Sequence, residues 1–544
     1  MSTNSLLITF AGYPYTPSSL LPDNGLANLA ASLLKHGHTT KIMDLNTTSM
    51  IGRLVPEQFH KKMKKNIENI LIEEKKGLRY IIPYLFSVRQ LENFQRREFY
   101  KIAEEIVSYI KSNKIDFVGL KLWNGDGFTA SKIIANLIKK NFSNMPVFAG
   151  GPQVDMFLDN IHKVTDAFDC LVYGEGEETI VMLAEYVEGK RKLESIPNVI
   201  FKKGRQMVTN PIQRIKDLDS MPFPVYDSSV YEAMGGNEEK IKMLVLDESR
   251  GCPNKCHFCI HPIKSGHLRM KSFNRLVDEI VHFLNKEKIS IFRFAGSSTP
   301  PQLLKGIAEE IIKRKLRVEY SSFAHIRSMD SEILQILKKS GCFAVFYGME
   351  SGSQKILDAM NKNVKAKNIE HVLMQTKKSG LFTIVSIIFP APFETEDTGK
   401  ETLDMLLRVC PDSVLVQIPG VYPQTEWANN PSDFNIQLDK ESYPLKVMNY
   451  KIKLFSPPRF WSPLPYKVNG KNFKEFSAQT GKMTDNLEKN GLLTAVSDDL
   501  ALLAKYAGKS PRQFRDENRV LFLSGDEKAI RKEVIDINNG IFSS

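Results

Sequence analysis

Short apolar runs alternate with helical patterns along the first 190 residues of the chain. Each run is four to six residues long, which suits a buried strand, and an amphipathic segment separates it from the next. This alternation predicts a parallel sheet with helices on both faces, a doubly wound α/β domain. The five predicted strands are residues 6–10, 40–45, 117–120, 146–150 and 169–173.

The same alternation returns between residues 241 and 425. Six apolar runs are each followed by a helical pattern, so we expect six parallel strands with a reaction centre at their carboxyl ends. These runs are residues 243–246, 291–295, 317–323, 343–348, 382–389 and 413–418.

The remaining segments connect or cover these two units. Residues 51–113 form a lysine-rich insertion with a helical pattern, residues 196–204 suggest a hairpin, and residues 217–227 form a proline-stiffened connector. We therefore predict four parts: residues 1–190, a linker over 191–240, a second α/β domain over 241–425, and a mainly helical domain over 426–544. An aromatic, proline-rich run at residues 454–466 either lines a substrate pocket or packs a domain interface.

Composition narrows the class of protein. The chain has 544 residues with 42% hydrophobic and 25% charged residues, which is ordinary for a globular protein. No basic leader and no apolar run of about 20 residues occurs, so we expect a cytoplasmic protein without a membrane partner. The net charge of +12 comes from lysines spread over helical faces rather than an arginine stripe, which disfavours nucleic acid.

Three of the six cysteines crowd into eight residues, at Cys252, Cys256 and Cys259. Thiolates are the usual ligands of iron–sulfur clusters, and three of them leave one iron of a [4Fe–4S] cubane open to another ligand. A structural zinc site is the alternative, because His257, His261 and His267 lie close by. Zinc sites more often use a second cysteine pair, which this chain lacks.

The CxxxCxxC order with an aromatic residue before the last cysteine resembles the radical S-adenosylmethionine (SAM) superfamily. The run from Phe346 to Lys362 resembles the fourth-strand signature of that family, which implies a partial (β/α)6 barrel. By this resemblance the open iron binds SAM and Phe258 faces the adenine. The other SAM-binding residues it implies are Ser322, Arg327, Gly348, Glu350 and Ser351. Two departures are Pro390 in place of a customary glycine and a second-strand loop, residues 295–299, without an acid.

The amino-terminal half is similar to the cobalamin-binding domain that precedes many radical SAM domains. The resemblance rests on the helix after Pro22, on Asp44 and on glycine-rich loops that end the strands. A generic nucleotide-binding sheet is the alternative. No DxHxxG string occurs, so the resemblance implies cobalamin without histidine ligation. The implied cobalamin-binding residues are Tyr15, Trp123, Asn124, Gly150, Gly151, Gly174, Glu175, Gly176 and Glu177.

Together the resemblances imply a cobalamin-dependent radical SAM methyltransferase that moves a methyl group from SAM through methylcobalamin to a carbon of a small molecule or peptide. A cyclase or ring-rearranging enzyme with the same cofactors is the alternative. An external one-electron reductant of the flavodoxin or ferredoxin type would be the partner. No protein acid or base is assigned; Tyr347, His325 and Gln417 are candidates by position alone. RNA methylthiotransferases carry three further cysteines in the first domain, where this chain has only Cys170.

Overall fold

A computed structural model describes residues 2–73, 77–327, 329–450 and 462–543. Residues 454–461 of the aromatic, proline-rich run lie outside the described residues. Within the described ranges, no helix combines the length and the apolar character needed to span a membrane.

The amino-terminal domain is a seven-stranded sheet in the order β2-β1-β3-β4-β5-β6-β7. Strands β1 to β5 are parallel, as predicted. The central strands are mostly apolar because both faces of the sheet are covered, whereas the edge strand β2 alternates between exposed and buried residues. The predicted hairpin is present and extends this sheet antiparallel to β5. The strands are β1 Asn4–Thr9, β2 Thr39–Asp44, β3 Phe117–Lys121, β4 Val147–Gly150, β5 Cys170–Val172, β6 Val199–Lys203 and β7 Gln206–Thr209.

Helices cover both faces of this sheet. The helical insertion is present as α2 to α4, of which α4 also packs against α5. The helices are α1 Asn24–Lys35, α2 Thr48–Leu54, α3 Glu57–Ile67, α4 Leu78–Asn113, α5 Asp126–Asn141, α6 Pro152–Phe157 and α7 Glu177–Val187.

The second domain contains six parallel strands in the order β15-β14-β13-β12-β11-β8, an open barrel of the predicted kind. A short antiparallel pair, β9 and β10, brackets the cysteine loop. The strands are β8 Leu244–Leu246, β9 Ser249–Arg250, β10 Arg269–Met270, β11 Ile291–Thr299, β12 Glu319–Ala324, β13 Cys342–Glu350, β14 Phe382–Ile388 and β15 Ser413–Gln417. The helices are α8 His261–Ser265, α9 Phe273–Lys286, α10 Pro301–Lys313, α11 Ser331–Lys339, α12 Gln354–Ala359, α13 Ala366–Lys378 and α14 Glu396–Val409.

The carboxyl-terminal part is mainly helical, with a small three-stranded sheet that the sequence did not reveal. Its aromatic residues Tyr443, Tyr466 and Phe476 form one buried cluster beside the barrel. Its elements are α15 Glu426–Asn429, β16 Ile436–Leu438, α16 Ser442–Met448, β17 Tyr466–Val468, β18 Lys471–Asn472, α17 Phe473–Lys489, α18 Asp498–Tyr506, α19 Pro511–Ser524 and α20 Glu527–Ser543.

The start of α18 is the point where three parts of the chain meet. Asp498, which is fully buried, accepts two hydrogen bonds from Arg293 of β11 at 2.8 and 2.7 Å and one from Ser321 of β12 at 2.6 Å. The next residue, Asp499, accepts a bond from Ser18 of the amino-terminal domain at 2.5 Å. Because buried charges are stable only when they are paired, this junction holds the three parts in one arrangement.

Candidate functional site

The cysteine loop connects β9 to β10 and starts at Gly251. Gly251 has a φ of +86°, and a Cβ atom there would lie 2.2 Å from the carbonyl oxygen of His267, so only glycine fits. Cys252, Cys256 and Cys259 are half-buried free thiols, and burial raises the pKa of Cys259 to about 11. Asn254 donates its side-chain amide to the Cys252 sulfur at 3.5 Å. Three thiols on one short loop are a donor set that suits an iron–sulfur cluster once they are deprotonated by the metal.

Residues 359–363, which follow α12, anchor this loop, and we name them the clasp. His257 donates its backbone N–H to the carbonyl of Met360 at 3.0 Å, and its ring nitrogen Nδ1 lies 3.0 Å from the carbonyl of Ala359. Asn361 donates to the carbonyl of Lys255 at 2.8 Å. Sequence reasoning missed this contact, although most of the clasp lies within the fourth-strand signature.

The acid of the fourth-strand signature faces the clasp. Glu350 is a nonglycine residue with a φ of +64°, and its carboxylate accepts a hydrogen bond from Lys362 at 2.9 Å. Both side chains are about nine-tenths buried. A Cβ atom on Gly348 would lie 2.5 Å from the Glu350 carboxylate and 3.1 Å from the Lys362 ammonium, so this glycine makes room for the pair. Left-handed backbone at a nonglycine residue is typical of functional sites.

The other predicted SAM-binding residues occupy different surroundings. Phe258 packs against Trp427 of α15, with ring centroids 5.6 Å apart. The hydroxyl groups of Ser351 and Thr402 lie 3.0 Å apart, and the buried Ser322 donates to the carbonyl of Phe323 at 3.0 Å. Arg327 is exposed, and it donates to the carbonyl of Asn363 in the clasp at 2.5 Å.

An acid does reach the second-strand loop, but it comes from the first strand. Glu248 follows β8, is fully buried, and accepts a 3.0 Å hydrogen bond from the backbone N–H of Gly296 and another from the hydroxyl of Thr299. Burial raises the pKa of Glu248 to about 7. A Cβ atom on Gly296 would lie 1.9 Å from the Glu248 carboxylate, so the glycine leaves room for this acid. The signal in the sequence was an acid four residues before Cys252.

A cavity of about 330 Å³ lies between the amino-terminal domain and the cysteine loop. Its lining combines apolar residues with ionisable residues from both domains. The apolar residues include Leu7, Leu29, Phe148, Val172 and Ile180, and the ionisable residues include Asp155, Glu175, Glu177, Asp247, Arg250, His261 and Lys264. Such a mixed lining suits part of a large ligand that presents both apolar surface and amide groups, as cobalamin does.

Six of the nine predicted cobalamin-binding residues line this cavity: Gly150, Gly151, Gly174, Glu175, Gly176 and Glu177. The other three, Tyr15, Trp123 and Asn124, lie outside its lining. Tyr15 packs edge-on against Tyr13, with ring centroids 4.7 Å apart, and Trp123 donates its indole N–H to Thr9 at 2.9 Å. In their place Lys121, which forms a 2.7 Å ion pair with Asp23, reaches the cavity.

The two predicted cobalamin-binding acids bind arginines that flank the cysteine loop. Arg269 of β10 donates to both oxygens of Glu175, at 2.9 and 2.7 Å. Arg250 of β9 donates to Glu177 at 2.6 Å and to Asp247 at 2.9 Å. Paired arginine–carboxylate contacts fix geometry well, so these four residues hold the cavity and the cysteine loop in register.

Asp155 is an acid of the cavity lining with a strongly raised pKa. Burial raises its pKa to about 6, although Lys264 lies 3.9 Å away and the backbone N–H of Gly174 donates to it at 2.7 Å. The backbone carbonyl of Asp155 accepts a 2.7 Å bond from Gln424, which follows β15. Asp155 is therefore held by contacts from both ends of the barrel.

Two family models match the chain. The radical SAM superfamily model matches residues 249–406, and the B12 binding domain model matches residues 77–184. The first match contains the cysteine loop and the clasp, and the second contains the six cavity-lining residues named above.

Several curated proteins are similar to this chain in sequence, at low identity. An uncharacterized methyltransferase from Pyrococcus horikoshii is 26% identical over 331 residues, covering 59% of this chain and 70% of the relative. An anaerobic magnesium-protoporphyrin IX monomethyl ester cyclase from Cereibacter sphaeroides is 25% identical and covers 48% of this chain and 44% of the relative. The cobalamin-dependent radical SAM methyltransferase TokK from Streptomyces tokunonensis is 25% identical, covering 53% of this chain and 44% of the relative.

Among solved structures, the radical SAM methyltransferase TsrM from Kitasatospora setae, with cobalamin and a [4Fe–4S] cluster bound, matches over nearly the full length. The TM-score is 0.63 at 16% identity, and the match covers 98% of this chain and 99% of that one. This likeness shows that the order of domains and the fold are shared. Both domains imply their cofactors, which are a [4Fe–4S] cluster and SAM for one and cobalamin for the other. The chain therefore contains a B12-binding domain followed by a radical SAM domain, and its homologues include cobalamin-dependent radical SAM methyltransferases.

Proposed function

We propose that this protein is a methyltransferase that moves a methyl group from SAM, by way of cobalamin, to a carbon of a small-molecule or peptide substrate. The observation that carries the proposal is the shared cavity. Gly150, Glu177 and Arg250 line one space, so the cobalamin loops and the start of the cysteine loop meet there. Methyl relay requires that the two cofactors and the substrate lie next to one another.

The bound groups supply the difficult chemistry: an electron and a radical from the cluster and SAM, and a methyl carrier in cobalamin. The residues of the chain bind and orient them. Cys252, Cys256 and Cys259 would hold the cluster, and Glu350 with Lys362 would face SAM beside it. The glycines of the cavity lining would leave room for the corrin.

A cyclase that uses the same cofactors is the second candidate. Its support is the similarity to the magnesium-protoporphyrin ester cyclase, which is of the same order as the similarity to TokK. The two functions differ in their products, because only methyl transfer releases S-adenosylhomocysteine in proportion to a product that is heavier by one CH2 unit.

The test is anaerobic reconstitution with iron, sulfide and hydroxocobalamin, followed by assays for 5'-deoxyadenosine and S-adenosylhomocysteine. We expect the wild type to bind corrinoid and to consume SAM. The variant with Cys252, Cys256 and Cys259 changed to alanine should lose SAM cleavage and keep corrinoid binding. A variant with Cys170, Cys342 and Cys410 changed to alanine is the matched control and should keep both. SAM cleavage by the first variant, or loss of corrinoid from it, would refute the assignment of the two sites.

A further inference from the structure

Within the described residues, one side of the cysteine loop is open to solvent. Its first side faces the cavity through Gly251. Its second side is covered by the carboxyl-terminal part, where Trp427 donates its backbone N–H to the carbonyl of His257 at 3.2 Å and Phe434 packs on the His257 ring at 5.1 Å. On the third side Pro253 and Lys255 are exposed to solvent.

This open side is bordered by exposed cations, which we name the basic rim. The clasp gathers them: Asn361 bonds the carbonyl of Lys255, and Asn363 accepts from Arg327. Gln354 of α12 bonds the backbone N–H of Ala366 at 2.9 Å and so brings α12 beside the start of α13. The exposed cations of the rim are Lys255, Arg327, Lys355, Lys365 and Lys367.

The acids near the rim do not cancel its charge. Asp358 is exposed and accepts a 2.8 Å bond from Gln354, and Asp330 caps α11 by accepting from the backbone N–H of Ile333 at 2.9 Å. The Glu350–Lys362 pair beneath the rim is neutral overall. Five exposed cations therefore face two exposed carboxylates. On the covered side of the loop the exposed acids Glu426 and Asp433 give the opposite sign, which would orient a charged partner.

The proposed function requires one electron for each radical that is made, and this electron must come from outside the chain. Bound corrin and SAM would occupy the cavity side, and the second side is covered by packed residues of the carboxyl-terminal part. We propose that the basic rim docks an acidic one-electron carrier protein of the flavodoxin type. In that complex the carrier loses one electron and the cluster gains it, and no bond is made or broken. This inference rests on the proposed function.

The test compares two reductants on one pair of variants. Lys355→Glu/Lys365→Glu reverses two charges of the rim and leaves the cysteine loop, Glu350 and Lys362 unchanged. Lys111→Glu/Lys140→Glu, on exposed positions of the other domain, is the matched control. Each protein is reconstituted, and 5'-deoxyadenosine formation is measured with reduced flavodoxin and, separately, with dithionite and methyl viologen.

We expect the rim variant to be at least about fivefold slower than the wild type with flavodoxin at low salt, because rim charges act mainly on the association rate. The difference should narrow to less than about twofold at 0.5 M salt, where charges are screened over a few ångströms. With dithionite both variants should match the wild type within about twofold.

Three outcomes overturn the docking proposal and leave the proposed function standing, provided that dithionite supports SAM cleavage. They are equal rates for both variants with flavodoxin, an equal loss in the control variant, and no flavodoxin-driven turnover by the wild type. If the fully reconstituted wild type cleaves no SAM with either reductant, the proposed function is refuted, and the docking proposal that rests on it is refuted with it.

Discussion

Arg250→Met should weaken the contact between the two α/β domains. The Arg250 side chain is only 14% exposed and donates to Glu177 at 2.6 Å and to Asp247 at 2.9 Å. Removing one partner of a buried ion pair costs about 3–5 kcal/mol, because the remaining charge is left without compensation. Asp247 is 22% exposed and can recover some hydration, so we expect a loss of about 2–4 kcal/mol in the free energy of unfolding.

The measurement is urea unfolding of the cofactor-free protein at pH 7.5, with thermal unfolding as a second probe. Arg408→Met is the matched control, because Arg408 is 54% exposed and pairs with Glu370 across a surface. Exposed pairs contribute about 0–1 kcal/mol, so the control should change little. A double-mutant cycle with Glu177→Gln should show coupling of at least about 1 kcal/mol.

The pH dependence gives a further check on the same contact. Burial alone would raise the pKa of Asp247, but Arg250 beside it holds that pKa below its usual value. A lowered pKa stabilises the fold above the ordinary carboxyl pKa of about 3.9, and that gain is lost as the pH falls. The gap between wild type and Arg250→Met should therefore shrink below about pH 4. If Arg250→Met and Arg408→Met lose equal amounts at pH 7.5, the structural role of Arg250 is wrong.

Three further predictions concern the cavity and the cluster site. Asp155→Asn should gain stability relative to the wild type as the pH rises from 4 to 7, by up to about 3 kcal/mol in urea unfolding. The pKa of Asp155 is raised to about 6 in the folded protein, so the wild type loses stability as the pH rises from 4 to 7. If the stability of both proteins changes equally with pH, this explanation is wrong. Leu29→Trp should place a larger side chain in the cavity, so the affinity for hydroxocobalamin should fall at least about tenfold while the iron content stays unchanged. Leu407→Trp, at an exposed position, is the control. Unchanged affinity of the Leu29→Trp variant would mean that corrinoid binds elsewhere. Lys362→Met should lower the free energy of unfolding of the cofactor-free protein by about 2–4 kcal/mol, because it leaves the buried Glu350 carboxylate unpaired. Lys362→Arg should recover most of that loss, and equal losses would show that charge is not the cause.

The strands and the cysteine loop could be predicted because their signals are local. Apolar runs flanked by helical patterns define β1 to β5 and the six barrel strands within a few residues, and the cysteine spacing needs no tertiary information. The fourth barrel strand runs on to Glu350, beyond the predicted end at residue 348. Its pairing with the fifth strand resumes at Glu350 after a register shift between Gly348 and Glu350, which pattern analysis does not detect.

The contacts that complete the site depend on distant neighbours. Each of three site residues contacts a partner that lies 12 to 48 residues away along the chain. The pairs are Glu248 with Gly296, Lys362 with Glu350, and Asp155 with Gly174. The resemblance also implied Tyr15 and Trp123 as cobalamin contacts; they lie outside the cavity lining and contact Tyr13 and Thr9, and their role stays a prediction. A strand end fixes where a loop starts, whereas side-chain direction within the loop is set by packing.

The clasp also bears on how the metal centre is assembled. Its carbonyl groups fix His257, and its Asn361 amide fixes Lys255, so protein hydrogen bonds shape the backbone on both sides of the second thiol, Cys256. Those bonds form only after the fourth barrel strand has joined the first. Iron and sulfide would therefore enter a receptacle that is already folded, and little chain entropy remains to be lost when they arrive. Oxidative loss of the inorganic core should accordingly be repairable without a chaperone.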